Sequence, residues 1–171
     1  MSELHDRVLQ SMAESLDRFE SHFSAPEVAD TLTANEVHYA ASHGLLRRTE
    51  KLQGKRGDRE ENERSTWDNE MEGACAELAW CKHLGVYWSG VADLRARDGG
   101  GVEIRWTKHA TGGLIVYDRD HDDNVYVLAK GFVPHIRFVG WLTGKEAKAL
   151  AGRLGGIRLV DSSKLRPMND A

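Results

Sequence analysis

The chain has 171 residues, 40% of them apolar and 29% charged, with a formal net charge of −4. That length suits one domain with a substantial core and a helical extension, and the composition is globular and soluble. The negative balance excludes a polycation that holds nucleic acid by bulk charge, so such a partner would need a local basic patch.

Residues 3–23 place Leu4, Val8, Met12, Leu16, Phe19 and Phe23 three or four apart. This is the spacing of an amphipathic helix, and its apolar stripe is a candidate contact for a homodimer. "SAPE", with Pro26, then interrupts the chain. Residues 1–30 therefore read as an N-terminal helical extension and residues 31–171 as the main domain. Thr33 with Glu36 three residues on forms a capping box, which starts a helix that runs to Leu52. "QGKRGDREENERST" is a polar, glycine-punctuated loop. Another helix spans Trp67 to Leu84 and stops at Gly85.

The character then changes. "VADLRAR", "GVEIRWTKH", "GLIVYD", "NVYVLAKG" and "HIRFVGWL" are short, β-branched and aromatic, and separated by turn residues. They read as five strands. "TGKEAKALAGRL" reads as a helix capped by Thr143, and "IRLVDSSKLRPM" as a short strand with a tail. Helices followed by strands point to the mixed α/β or α+β class, a sheet of four or five strands flanked by helices. Cys75 and Cys81 lie six residues apart in one helix, too far for a disulfide. Reduced thiols suggest a cytoplasmic protein, and no stretch is long and apolar enough to span a membrane.

Within "DGGGVEIRWTKH", alternation along a strand puts Val102, Ile104 and Trp106 on one face and Glu103, Arg105 and Thr107 on the other. The apolar face should pack on a helix. The other presents a carboxylate and a guanidinium side by side. Gly99 to Gly101 permit a tight reversal, with Asp98 at its mouth on the side of Glu103. Two carboxylates meeting at one point suit a hard divalent cation such as Mg²⁺ or Mn²⁺; an exposed polar face is the plainer alternative. A third acid belongs to the helix. At 100° per residue Glu77 falls between Leu84 and Cys81, inside the apolar stripe. A carboxylate there needs a metal or a partner such as a neighbouring arginine.

At these residues the chain resembles the PD-(D/E)XK nuclease superfamily, with Glu77 of "EGACAELAWCKHLG" as the helix acid and Glu103-Ile104-Arg105 as the strand motif. The order "GACAELA…LGVYWSG…D-GG-VEIR-T-H…GLIV…D-DD-VYVL…GW" is similar to a group of small bacteriophage proteins. The resemblance covers roughly residues 33–167 and implies a restriction-endonuclease-like core. It implies metal-assisted phosphodiester hydrolysis in DNA, with Asp98, Glu103, the Ile104 carbonyl and Glu77 around Mg²⁺ or Mn²⁺ and Arg105 on the phosphate. Asp93 is an alternative to Asp98 as the second acid. Arg105 stands where the superfamily has Lys; it keeps the charge but cannot act as a general base. A nuclease-fold protein that binds DNA or a host or phage protein without cleaving is the rival, with roles in counter-defence, replication or packaging. A phage-encoded chain would work in the host bacterial cytoplasm.

"LLRRTEKLQGKRGDR" gathers Arg47, Arg48 and Lys51, which with Lys108 are candidates for DNA phosphates, although interspersed acids also suit a solvated charge run. "DRDHDD", Asp118 to Asp123, reads as a hairpin loop because it lacks the glycine and terminal glutamate of an EF-hand. The five tryptophans read as core or sheet-packing residues.

Overall fold

The structure is a computed structural model and describes residues 28–54, 66–90, 102–154 and 157–168. The helix expected over residues 3–23, the strand expected over 91–97, and both Asp93 and Asp98 lie outside the described residues. In chain order the elements are β1 (Val28–Thr31), α1 (Ala34–Leu52), α2 (Trp67–Leu84), β2 (Val102–Thr107), β3 (Leu114–Val116), β4 (Val125–Phe132) and β5 (His135–Thr143). After them come α3 (Gly144–Leu150), β6 (Gly152–Leu154), β7 (Ile157–Val160) and a 3-10 turn at Ser162–Lys164.

The helix boundaries follow local chemistry. Thr33 Oγ1 accepts from the Glu36 N–H, and the Glu36 carboxylate accepts from the Thr33 N–H at 2.6 Å, completing the expected capping box. Thr66 caps α2, and Gly85 ends it in the left-handed conformation at φ 65°. Lys82 at the end of α2 bonds Glu36 at 2.9 Å, which ties the start of one helix to the end of the other.

Four strands form a mixed sheet in the order β1-β5-β4-β2. Among the described residues only the β2–β4 pairing of this sheet is parallel, and β2 occupies an edge. Alternation along β2 is as expected: Val102 and Ile104 are buried, and Trp106 packs half-buried on the same core. That face of the sheet, with Val127, Ala129, Ile136 and Phe138, meets Ala74, Trp80 and Cys81 of α2 and Ala40 of α1. Both cysteines are buried free thiols. The opposite face, with Tyr126, Leu128 and Leu142, meets Leu114, Val116, Ala147 and Val160 in a second core.

Three sequence expectations are corrected. The strand at residues 114–116 leaves the main sheet and pairs with β7 in a second, antiparallel sheet ordered β3-β7-β6. The last helix stops at Leu150, because residues 152–154 extend to pair with β7. The segment after Pro26 is not merely a break, since β1 adds to β5. Of the tryptophans, Trp80 and Trp88 are buried and Trp106 and Trp141 partly so, whereas Trp67 at the first position of α2 is exposed.

Helices α1 and α2 approach each other closely at Gly44. A Cβ added there would run into the Glu70 carbonyl oxygen and come 2.6 Å from Met71 Cα, both backbone atoms that no side-chain rotation can move. Gly44→Ala should therefore destabilise by about 1–3 kcal/mol, despite alanine's better helix propensity. Gly73→Ala in α2 meets nothing within 4 Å and should stabilise by up to about 1 kcal/mol. Urea unfolding of both variants checks this; equal midpoints would show that the helices are not in contact at Gly44.

Candidate functional site

A cleft of about 410 Å³ lies at β2, an edge strand among the described residues. Arg47, Glu70, Gly73 and Glu77 line it from the helix layer, and Ile104 to His109 from β2 and the segment after it. Tyr117 and Ile115 close the side toward the second sheet. Four of the expected site residues, Arg47, Glu77, Arg105 and Lys108, thus reach one concave surface from distant parts of the chain.

On the helix side a buried Glu77 requires a partner, and the partner is Arg47 of α1. The guanidinium donates from Nη1 to Oε1 and from Nη2 to Oε2, each at 2.5 Å, and the Trp88 indole N–H donates to Oε2 at 3.3 Å. Both side chains of the ion pair are about nine-tenths buried. Arg47, a candidate for DNA phosphates, thus has its charge paired with Glu77 inside the fold while it lines the cleft. Lys51 is likewise engaged, donating to Glu70 at 2.7 Å with both side chains largely buried. Arg48 is half-buried. Lys108 is exposed on the cleft rim, near enough to Glu72 to draw down a carboxyl pKa that burial raises.

Glu103 and Arg105 point to the other face of the sheet. Arg105 Nη2 donates to Glu103 Oε1 at 2.6 Å and to Asp120 Oδ1 at 2.8 Å. Its guanidinium carbon lies 5.0 Å from the Tyr117 ring centroid and 5.3 Å from that of Tyr126, within reach of cation–π attraction. Burial weighs against the arginine's charge, but Glu103 and Asp120 more than offset it and the pKa is raised. Burial, with Glu103 and Asp120 adding to it, pushes the Tyr126 hydroxyl up to about 12.

Burial also pushes the Glu103 carboxyl above its ordinary value; Arg105 draws it down and Asp120 pushes it up. A carboxyl that holds its proton more readily folded than unfolded contributes stability that is complete below the unfolded value, about 4.3, and is lost as pH rises through the folded value. Wild type should therefore lose stability relative to Glu103→Gln, which has no such titration, as pH rises from about 4.3 through the folded value, with no further loss above it. Urea unfolding from acid to neutral pH reads this directly. A difference between the two chains that does not change with pH would contradict it.

Among the described residues no three acids, histidines or cysteines gather into a group able to hold a metal. Glu77 and Glu103 lie on opposite sides of β2, and Asp98, the third member of the expected set, is outside the described residues, as is Asp93. Glu103 is an oxygen donor of the kind a hard cation takes, and its carboxylate is bonded to Arg105 at 2.6 Å. The Trp106 indole N–H, on a residue of the cleft wall, is buried without an acceptor among the described residues.

Sequence reasoning did not find Asp120, Tyr117, Tyr126 or Trp88. The aspartates of "DRDHDD" look alike in sequence, yet their partners differ: Asp118 pairs with Arg158, Asp122 with Lys148 at 2.9 Å, and Asp120 turns inward. Comparison with known protein families, curated proteins and solved structures yields no match to this chain in any of the three. The chain is a mixed α/β protein, with three helices and a four-stranded mixed sheet among the described residues. No helix there is long and apolar enough to cross a membrane. The nuclease resemblance rests on the chain's own residues.

Proposed function

We propose that this protein is a metal-dependent, nuclease-like protein that hydrolyses phosphodiester bonds in DNA on a restriction-endonuclease-like core. The observation that carries the reading is the cleft at β2, which Glu77, Ile104 and Arg105 line together. Those are the helix and strand positions that the resemblance assigns to one active site. Cationic residues on the walls and rim, Arg105 and Lys108 among them, suit an anionic polymer.

In this reading Glu103 and Asp98 would hold Mg²⁺ or Mn²⁺, and Glu77, across β2 from Glu103 and bonded to Arg47, would reach the ion through water; the metal would supply activation of water and neutralisation of charge on the scissile phosphate. Arg105 supplies a fixed positive charge for the phosphate as negative charge develops on it. It takes no part as a base, since a guanidinium keeps its proton in a protein. Lys108 meets the DNA backbone outside the reacting group.

A second reading, binding of DNA or of a host or phage protein without hydrolysis, is favoured by one observation. Glu77 and Glu103 are each bonded to a guanidinium, Arg47 and Arg105 respectively. A cation would have to displace those contacts. Calorimetric titration with Mg²⁺ and with Mn²⁺ separates the two readings. The nuclease-like reading expects saturable binding that weakens by about tenfold or more in Glu103→Gln. Titrations without binding heat, or with affinity unchanged in the variant, favour the second.

A further inference from the structure

We infer that Asp120, from the loop before β4, is a positioning residue: it, rather than Glu103, fixes the Arg105 guanidinium between Tyr117 and Tyr126 at the cleft. The inference deepens the nuclease-like reading of this site and rests on that reading for its catalytic consequence.

Both oxygens of Asp120 are committed within the fold. Oδ1 accepts from Arg105 Nη2 at 2.8 Å, and Oδ2 accepts from the Tyr117 backbone N–H at 2.9 Å. The side chain is 5% exposed, against 30% for Glu103. The loop is held in turn, because Lys148 Nζ donates to the Asp120 carbonyl oxygen and, at 2.9 Å, to the Asp122 carboxylate. The hydroxyl of Tyr126 accepts from the His121 N–H at 3.0 Å, which ties one of the two flanking rings to the same loop. Asp120 therefore sits in a rigid mount, with one carboxylate oxygen on the arginine and the other on the backbone that carries the Tyr117 ring. Glu103 also contacts Arg105, at 2.6 Å, but from a more exposed side chain on the same strand. The Tyr126 hydroxyl also bonds Glu103, yet of the two acids Glu103 has the more solvent-exposed side chain and no bond to the backbone of the loop.

The division of labour has a chemical point. If Glu103 alone restrained Arg105, a cation that drew Glu103 away would release the arginine at the moment its charge is needed. With Asp120 in place, Glu103 can leave for a cation while the guanidinium keeps a carboxylate partner and its two aromatic neighbours. Without Asp120, the arginine's remaining carboxylate is Glu103, and a cation must compete with the guanidinium for it. Asp120 then affects cation affinity without touching the cation, as outer partners of metal ligands do.

The test uses the full chain labelled with ¹⁵N, and the probe is the Arg105 Nε–H resonance, shifted by the ring currents of Tyr117 and Tyr126. Glu103→Gln should keep that shift. Asp120→Asn, nearly the same shape but uncharged, should lose it, and should weaken Mn²⁺ binding in calorimetry by about tenfold. In cleavage assays, with rates referred to the folded fraction measured by unfolding, it should lower kcat with KM for DNA little changed. Loss of the shift in Glu103→Gln, or its survival in a folded Asp120→Asn, overturns the inference. Should Asp120→Asn fail to fold, the Glu103→Gln spectrum decides alone: retention of the shift supports the role of Asp120 and loss refutes it. If wild type binds no Mn²⁺ and cuts no DNA, the nuclease-like reading fails, while the Arg105 resonance still decides what holds the guanidinium.

Discussion

Arg47→Ala is expected to destabilise the protein by about 3–5 kcal/mol, the size seen when one partner of a buried ion pair is removed. The variant leaves the Glu77 carboxylate, about nine-tenths buried, with the Trp88 indole bond at 3.3 Å as its remaining side-chain contact among the described residues, in place of two charged contacts at 2.5 Å. It also removes a guanidinium 5.9 Å from the Trp88 ring centroid. The penalty belongs to the stranded charge rather than to the pair. The double variant Arg47→Met with Glu77→Leu should therefore recover most of it, since apolar replacements of similar volume are commonly neutral or stabilising. Urea unfolding of the two single variants and the double variant measures this. A loss below about 1 kcal/mol in Arg47→Ala, the range of an exposed pair, would show that Glu77 is compensated without Arg47.

Under the nuclease-like reading, Arg105→Ala should lower the rate of DNA hydrolysis by about 10²–10³, the effect of removing one charge-stabilising donor from a transition state. Arg105 is well placed for such a loss. It is bonded to two carboxylates, flanked by two tyrosine rings and set in the cleft wall, so little reorganisation is needed when charge develops. Arg105→Lys should keep or raise activity, because it restores the residue type of the superfamily that the chain resembles and can still bond Glu103. Under the binding reading neither substitution changes cleavage, and Arg105→Ala weakens DNA binding alone. Single-turnover assays with saturating Mg²⁺ or Mn²⁺ separate these outcomes. Equal rates for wild type and Arg105→Ala would remove Arg105 from the chemistry.

Much of the fold was legible because its determinants are local. The capping boxes at Thr33 and Thr143 and the glycine stop at Gly85 fix helix ends within a few residues of sequence. The alternation Val102, Ile104, Trp106 against Glu103, Arg105 fixes the faces of β2. What was not legible depends on partners far along the chain. β1 is four residues long and exists as a strand through its pairing with β5. Residues 152–154 continue a helical pattern in sequence, yet pairing with β7 draws them into an extended conformation. The stretch 114–116 is apolar enough for either sheet, and the side of the main sheet on which it lies is a tertiary choice.

The candidate site divides the same way. That Glu77 is buried and needs a partner followed from helical periodicity. That the partner is Arg47 depends on how closely two helices cross, which Gly44 permits. The pairing of Glu103 with Arg105 followed from strand alternation. Its third member, Asp120, comes from a loop whose aspartates carry no local signal of which one turns inward.

The most direct test of the nuclease-like reading is cleavage itself. Purified protein is incubated with single-stranded, duplex and branched DNA in the presence of Mg²⁺ or Mn²⁺, beside Glu103→Gln and a chelated control. The account predicts cleavage of at least one DNA form by wild type, abolished by the chelator and by Glu103→Gln. All three DNA forms left intact by wild type and by Arg105→Lys, in preparations whose unfolding shows a folded protein, would contradict it.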